Sequence, residues 1–396
     1  MNDQRVKGTR DFIQDALLRE NLIDKIKESY SLFGFKPIIT PSIEYLSLYK
    51  NKAGEEIENQ LYSFEDKKGE KLVLRPEHTL SKLRAVNSLQ LPKPMKFYSI
   101  GNVWRYEDVS KGRYREFIQA DIDTYGSEDP FFDAEIIQCI DFTLRKIGIN
   151  DYTINISSRK IWDEFLEKVN LKDKEKEILR LIDKIDKVGE ENVKIELERI
   201  NALNVLEFLE NKEISEDLLK LFEHLDKLKI NYVFNKKIVR GLDYYDSFVF
   251  EFISNDLKMS IAGGGRYDSL SKKVFGKELS ATGGSIGFER VFELIKSSYK
   301  EEFSNQVCVI SVGEDKEAIE IANELRLNSI RTNLFLSETN LSKAMDYCNK
   351  NMIRFAVIVG RRELSEGTVK LKDLKESKEM NIKKSELLNF ILSKSK

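Results

Sequence analysis

KFYSIGNVWRYEDVSKGRYREFIQADIDTY, residues 96–125, decides the fold class. Two strand-like runs, Lys96 to Trp104 and Glu116 to Tyr125, flank a short polar loop that contains Gly112. A connection this brief joins antiparallel strands, because parallel ones need a crossover of a dozen or more residues. Alternate residues of a strand face one side, so Arg105 and Glu107 share a face, as do Phe117, Gln119, Asp121 and Asp123. Arginines, carboxylates and an aromatic ring on an open face suit a ligand that is both anionic and planar. Guanidinium forks match phosphate geometry and Phe117 offers a surface for a base, which points to ATP. The same residues also fit a solvated hairpin laced with surface ion pairs, which are common and individually weak.

Upstream, Leu22, Ile23, Ile26 and Tyr30 recur at helical spacing between Arg19 and Leu32. Phe33-Gly34-Phe35 breaks that pattern, and Pro37-Ile38-Ile39-Thr40-Pro41 reads as an edge or interface strand, since proline cannot donate to a central ladder. Short β-like runs follow at Leu61 to Phe64 and Leu72 to Leu74. No crossover helix intervenes before Phe131 to Ile147, so an antiparallel sheet is expected. From Trp162 to Leu228 the chain is rich in Lys, Glu and Leu and lacks proline. Ile178, Ile182 and Ile185, then Leu218, Leu221, Phe222, Leu225 and Leu228, mark it as a helical insertion. Strand text resumes at Asn231 to Phe234 and Phe248 to Ile253, and a helix is expected over Gly287 to Ser298. Tyr299 to Gln306 reads as a linker. Beyond it, strands at Val307 to Val312, Thr332 to Phe335 and Phe355 to Val359 alternate with helices at Lys316 to Leu327 and Ser342 to Lys350. That alternation implies a small α/β domain with a largely parallel sheet.

A chain of 396 residues, 41% hydrophobic and 10% aromatic, can build two or three real cores. Its 65 basic and 67 acidic side chains nearly cancel, so any RNA contact must come from local basic patches. The N-terminus lacks the apolar core of a signal peptide and no stretch approaches a membrane span, so a soluble cytoplasmic protein is expected. Cys139, Cys308 and Cys348 are scattered without metal-site spacing and read as reduced core or surface thiols. No resident metal site is expected.

Four further segments carry candidate chemistry. Val239-Arg240-Gly241-Leu242-Asp243-Tyr244-Tyr245 can set a cation and phenols in a pocket, though tyrosines beside an apolar strand also serve as packing. Ala262-Gly263-Gly264-Gly265-Arg266-Tyr267-Asp268 allows close approach of a backbone or ligand, or is simply a turn. Gly283-Gly284-Ser285-Ile286-Gly287-Phe288-Glu289-Arg290 leads glycines into a helix, and a helix N-terminus with an arginine favours an anion. In Leu74-Arg75-Pro76-Glu77-His78-Thr79, Glu77 suits an amine.

In order and spacing, these segments together resemble the histidyl-tRNA synthetases over nearly the whole chain. Lys7 to Asp11 matches the family's opening, and Gly34-Phe35 through Pro41 resembles its first class II motif, which builds a dimer interface. Arg105 to Asp123 resembles the second motif and Gly287 to Arg290 the third. Arg240 to Tyr245 and Gly264 to Asp268 resemble the two histidine-specific signatures. The last ninety or so residues, with Phe355 to Gly360 and Gly367 to Val369, resemble the anticodon-binding domain.

The resemblance implies an α+β protein. A class II antiparallel sheet flanked by helices would occupy residues 1–161 and 229–300, a helical insertion 162–228, and an anticodon-binding α/β domain 307–396. By the same resemblance Arg105, Glu107, Arg113, Phe117 and Arg290 hold ATP, which comes with Mg2+. Glu77, Thr79 and Gln119 orient the amino-acid head group, while Asp123, Tyr244 and Tyr245 belong to the histidine pocket. Arg240, Gln119, Arg105 and Arg290 serve the chemistry, with Arg240 the cation on the α-phosphate. Histidine, its tRNA and a second copy of the chain are the implied partners.

Asp123 stands where many bacterial members have glutamate, and Asp108-Val109-Ser110-Lys111 replaces a common Pro-Gln loop. His78 sits where glycine or methionine is common and reads as a surface or supporting residue. The main alternative is the inactive paralogue that regulates ATP phosphoribosyltransferase, which typically lacks the C-terminal domain and several of these site residues.

Overall fold

A computed structural model describes residues 4–50, 58–110, 112–211, 213–239, 244–298 and 304–394. The chain divides into two compact units, Met1–Ser298 and Tyr299–Lys396.

The first unit is built on β1 (Lys36–Pro37), β2 (Ile43–Tyr45), β3 (Tyr62–Glu65), β4 (Lys71–Leu74), β5 (Met95–Trp104), β6 (Glu116–Tyr125), β7 (Tyr152–Ser158), β8 (Val233–Phe234), β9 (Phe248–Ser254), β10 (Met259–Arg266) and β11 (Ala281–Gly287). Eight of these form one sheet in the order β1-β5-β6-β11-β10-β9-β7-β8, and β2-β4-β3 form a small second sheet. The six central strands of the large sheet, β5 through β7 in that order, pair with one another antiparallel. β1 and β8 pair in parallel at the edges, the former carrying Pro37 where its missing N–H costs no central bond. β5 and β6 pair from Met95↔Tyr125 to Trp104↔Glu116, and this register sends Ala120 and Ile122 to one face and Gln119, Asp121 and Asp123 to the other.

Helices cover the apolar face. Pro130–Lys146 starts with Asp129 accepting from the Phe131 N–H at 2.9 Å and proline at its first position, a conventional start. It buries Ile136, Ile137 and Ile140 against Ala120, Ile122, Phe250 and Ile286, joined by Leu22, Ile26 and Tyr30 of the helix Ala16–Leu32. Truncating one such isoleucine to alanine costs about 2–5 kcal/mol.

Both glycine-rich runs lie in strands, not turns. Gly264 and Gly265 of β10 face Gly284 and Gly283 of β11. A Cβ on Gly264 would meet the Gly283 carbonyl oxygen at 2.0 Å, and one on Gly283 would meet Asp123 Oδ1 at 2.1 Å. The side-chain-free patch thus lets Asp123 lie directly on the sheet.

In the helical section, Trp162, Leu166, Ile178, Ile182, Val193, Leu197 and Val205 form a separate core. Trp162 Nε1 donates to the Lys236 carbonyl at 3.0 Å, which satisfies its one polar atom. The helix Glu216–Lys227 behaves differently: Leu218, Leu221, Phe222 and Leu225 join the main core.

The second unit contains β12 (Ser304–Val312), β13 (Thr332–Phe335), β14 (Ile353–Gly360), β15 (Thr368–Asp373) and β16 (Lys378–Lys383), in the order β13-β12-β14-β15-β16. β12 runs parallel to β13 and β14, but β14–β15 and β15–β16 are antiparallel, so the sheet is mixed and not largely parallel. Only the short helix Arg361–Ser365 and a turn separate β14 from β15, too little chain for a parallel crossover. Cys139, Cys308 and Cys348 are all free and buried.

Candidate active site

The polar face of the large sheet opens into a cavity of about 330 Å³, within the range of small-molecule sites. Its wall includes Glu77, Thr79, Arg105, Glu107, Arg113, Phe117, Gln119, Asp123, Tyr244, Tyr245 and Arg290. Every candidate site residue named from the sequence is therefore brought to one cavity except Arg240, which lies outside the described residues.

One end is cationic. Arg105 follows the last residue of β5, its Nε donates to the Pro76 carbonyl at 2.8 Å, and its guanidinium lies 5.3 Å from the Phe117 ring centre. Arg113 Nε donates to Glu107 Oε2; with Arg113 half-exposed this pair adds little stability, so it can yield to a phosphate. Arg290, in the first turn of the helix Phe288–Ser298, donates to the Ser260 carbonyl. The neighbouring Glu289 is held by Arg19 through two hydrogen bonds, at 2.8 and 2.7 Å, and accepts from the Ile118 N–H at 3.3 Å. That tie fixes the start of the helix to β6.

The other end is acidic and enclosed. Glu77 Oε1 accepts from the Leu80 N–H at 3.0 Å and Oε2 from the Thr79 N–H, so the carboxylate caps the helix Thr79–Val86 while facing the cavity. Burial raises the Glu77 carboxyl above its ordinary value, and these N–H donors oppose the rise. Asp123 Oδ2 accepts from the Lys82 ammonium and Oδ1 from the Tyr267 hydroxyl. Lys82 Nζ also lies 3.8 Å from Asp121 Oδ2. Burial pulls the Lys82 ammonium down, but Asp123 and Asp121 outweigh it and leave it raised. Burial raises both aspartates, with Lys82 opposing, as expected when two carboxyls share one cation. Tyr244, Tyr245 and Tyr267 pack mutually, with ring centres 4.8 to 6.3 Å apart.

Tyr267, Ser285 and Glu289 lie in candidate segments of the sequence without an individual role there, and Lys82 lies in none of them. For Lys82 the sequence signal is its spacing: it follows Thr79 at i+3, which puts both on one helix face. His78 is not a surface residue. It is 1% exposed, and burial, with Arg75 and Lys82 nearby, holds its imidazole well below the usual range, hence neutral. Its Nε2 lies 3.3 Å from the Gly101 carbonyl. Among the described residues, no group of three or more His, Cys, Asp or Glu could hold a metal ion.

Cationic and aromatic at one end, acidic at the other, the cavity can align an anionic nucleotide with a small cation-bearing ligand. The family model for histidyl-tRNA synthetase matches residues 8–291 and that for the anticodon binding domain matches residues 306–394. Among curated relatives, the histidine–tRNA ligase of Pyrococcus horikoshii is 38% identical, with 98% of this chain and 98% of that protein covered. That of Methanocaldococcus jannaschii is 35% identical over 98% of this chain and 99% of its own. The crystal structure of histidyl-tRNA synthetase from Nostoc sp. shares the fold, with a TM-score of 0.85 and full coverage of both chains at 23% identity. A Bacillus halodurans structure described as an ATP phosphoribosyltransferase regulatory subunit/histidyl-tRNA synthetase also shares it, at 0.77 and 22% identity over 91% of this chain and 98% of its own. The full-length matches in sequence, on a cavity of this polarity, show that the chain belongs to the histidyl-tRNA synthetase family.

Proposed function

We propose that this chain is a histidine–tRNA ligase, which activates histidine with ATP and transfers it to the 3′ end of histidine tRNA. The observation that carries the reading is the cavity's polarity: a cationic rim with Phe117 meets an acidic recess holding Glu77 and Asp123. Phe117 stacks on adenine, and Arg105, Arg113 and Arg290 neutralise the triphosphate, with Glu107 part of the same rim. Glu77, Thr79 and Gln119 orient the histidine ammonium, and Asp123, with Tyr244 and Tyr245, addresses the imidazole. The histidine carboxylate oxygen bonds to the α-phosphorus as the bond to the bridging oxygen breaks, and pyrophosphate leaves with that electron pair. The tRNA's terminal ribose hydroxyl then attacks the adenylate carbonyl and AMP departs. No covalent enzyme intermediate is required, because alignment of two anions and compensation of their charge supply the catalysis. Arg240 takes the α-phosphate on the strength of its sequence context.

Mg2+ would arrive with ATP as its counter-ion and offset phosphate charge, in keeping with its preference for phosphate oxygens over all-protein cages. Residues 1–161 and 229–300 carry activation, 162–228 lean on the tRNA acceptor arm, and 307–396 bind the anticodon. The chain pairs with a second copy of itself through the edge around β1. Ile39 there is 94% exposed, and Tyr45 of β2 is 58% exposed, apolar surface that a partner would cover. No described helix is long and apolar enough to cross a membrane, and we place the protein in the cytoplasm with the translation machinery. Charging histidine tRNA with labelled histidine tests the reading. Acid-stable histidyl-tRNA is expected; a folded chain that charges none would favour the regulatory paralogue.

A further inference from the structure

Asp121 of β6 lies between Gln119 and Asp123 on the same face, two residues from each. It is 4% exposed and lines the cavity; the Ser285 hydroxyl faces its carboxylate from β11, yet Oδ1 itself meets no donor in hydrogen-bonding geometry among the described residues. A carboxylate oxygen buried without a donor is costly, so such an atom calls for one from outside the chain. Gln119 Oε1, next on this face, is a second buried acceptor without a described partner.

Glu77 belongs to the same recess. Burial raises its carboxyl, the Leu80 and Thr79 donors oppose this, and the charge of Asp121 adds to the rise, so the two carboxylates feel one another. The cations nearby are committed elsewhere. Lys82 is bound to Asp123 and approaches Asp121 only at Oδ2, 3.8 Å away. Arg75 donates to the carbonyls of Asn102 and Thr40, at 3.0 and 2.8 Å, and Arg105 to that of Pro76. Glu77, Gln119 Oε1 and Asp121 Oδ1 thus offer three acceptors, with an excess of negative charge, to a group with three donors and one positive charge. An alkylammonium is that group.

We propose that Asp121 is a specificity-determining residue of the amino-acid site, whose Oδ1 accepts from the α-ammonium of histidine beside Glu77 and Gln119. Lys82 holds Asp121 and Asp123 in place from below and keeps the two carboxylates from repelling one another apart. This rests on the assignment of the acidic recess to histidine. It makes the site discriminate against ligands that keep the imidazole but lack the amine.

The test uses two ligands that differ only there: histidinol, and the same imidazolyl propanol without its amino group. Their affinities are measured by calorimetry on the full chain and on Asp121→Asn. The unaltered chain should prefer histidinol by about tenfold or more, the worth of a charged hydrogen bond. Asp121→Asn should lose most of that preference while the KM for ATP stays within about twofold. A preference that survives in Asp121→Asn overturns the proposal. So does equal weakening of both ligands, the mark of a merely structural role. Should Asp121→Asn fail to fold, a crystal structure of the unaltered chain with histidinol decides. Oδ1 within hydrogen-bonding distance of the ligand amine supports the assignment, and a separation beyond about 4 Å overturns it. Loss of preference in Glu77→Gln but not in Asp121→Asn removes Asp121 alone and leaves the histidine pocket standing. Failure of the unaltered chain to bind either ligand counts against the pocket itself.

Discussion

Arg19 and Glu289 form a buried, doubly hydrogen-bonded ion pair, at 2.8 and 2.7 Å, between the first helix and the helix that carries Arg290. Both side chains are under a tenth exposed, and Arg19 also lies over the rings of Phe12, Phe288 and Phe292. Removing one member of such a pair strands the other charge, at a cost of about 3–5 kcal/mol. Arg19→Ala should therefore lower the melting temperature of the first unit markedly. Differential scanning calorimetry checks this, and an unchanged transition would show that the pair carries no net stability.

Arg113 and Arg290 should differ in their effects on activation. Arg113 is half-exposed and bonded to Glu107, whereas Arg290 is anchored to the Ser260 carbonyl in the first turn of its helix. Each alanine variant should lose about tenfold or more in kcat/KM for ATP, with the larger loss at the preorganised Arg290. Steady-state exchange kinetics at varied ATP decide it, and equal KM for ATP in all three proteins would remove both from the phosphate site.

Asp133 provides a pH test of the fold. Burial pushes its carboxyl from 3.8 up to about 6, even though the Arg266 guanidinium beside it pulls the other way. Because the folded value is raised, the folded chain keeps this proton at pH values where the unfolded chain has released it. Stability from this group is complete below about pH 4 and declines as the pH rises through about 6. Asp133→Asn cannot ionise, so its melting temperature relative to the unaltered protein should improve between pH 4 and pH 7. A constant difference across that window would mean that Asp133 ionises as an ordinary carboxyl.

Removing residues from Val307 onward should separate the two steps. The cavity is built entirely from the first unit, and the matched anticodon-binding region lies entirely in the second. Histidine activation should persist in the shortened chain while tRNA charging falls by about a hundredfold or more. Parallel loss of both activities would show that the units are not functionally separable.

The contrast between legible and illegible parts of the site has a physical basis. Phe117, Gln119 and Asp123 could be placed on one face because alternation is a local property of a strand. The helical spacing puts Lys82 on one face with Thr79 but does not give its role, because its partners Asp121 and Asp123 are some forty residues away and only the sheet brings them together. Gly263 to Gly265 and Gly283-Gly284 gave no strand signal, since glycines carry no side chain to alternate; what they accommodate, Asp123 among it, is a tertiary contact. The β15–β16 hairpin is hard to read for another reason: Lys370 and Lys372 alternate with Val369 and Leu371, and Glu379, Asn381 and Lys383 with Met380 and Ile382, as in a half-exposed strand pair, but charges this dense read as a solvated surface.

Histidine-dependent exchange of pyrophosphate into ATP, run with the other amino acids as controls, is the decisive measurement of histidine activation. Rapid exchange with histidine and none above background with the rest is expected, because the acidic recess offers partners for both the ammonium and the imidazole. No exchange with any amino acid from folded protein, or exchange led by another amino acid, would contradict it.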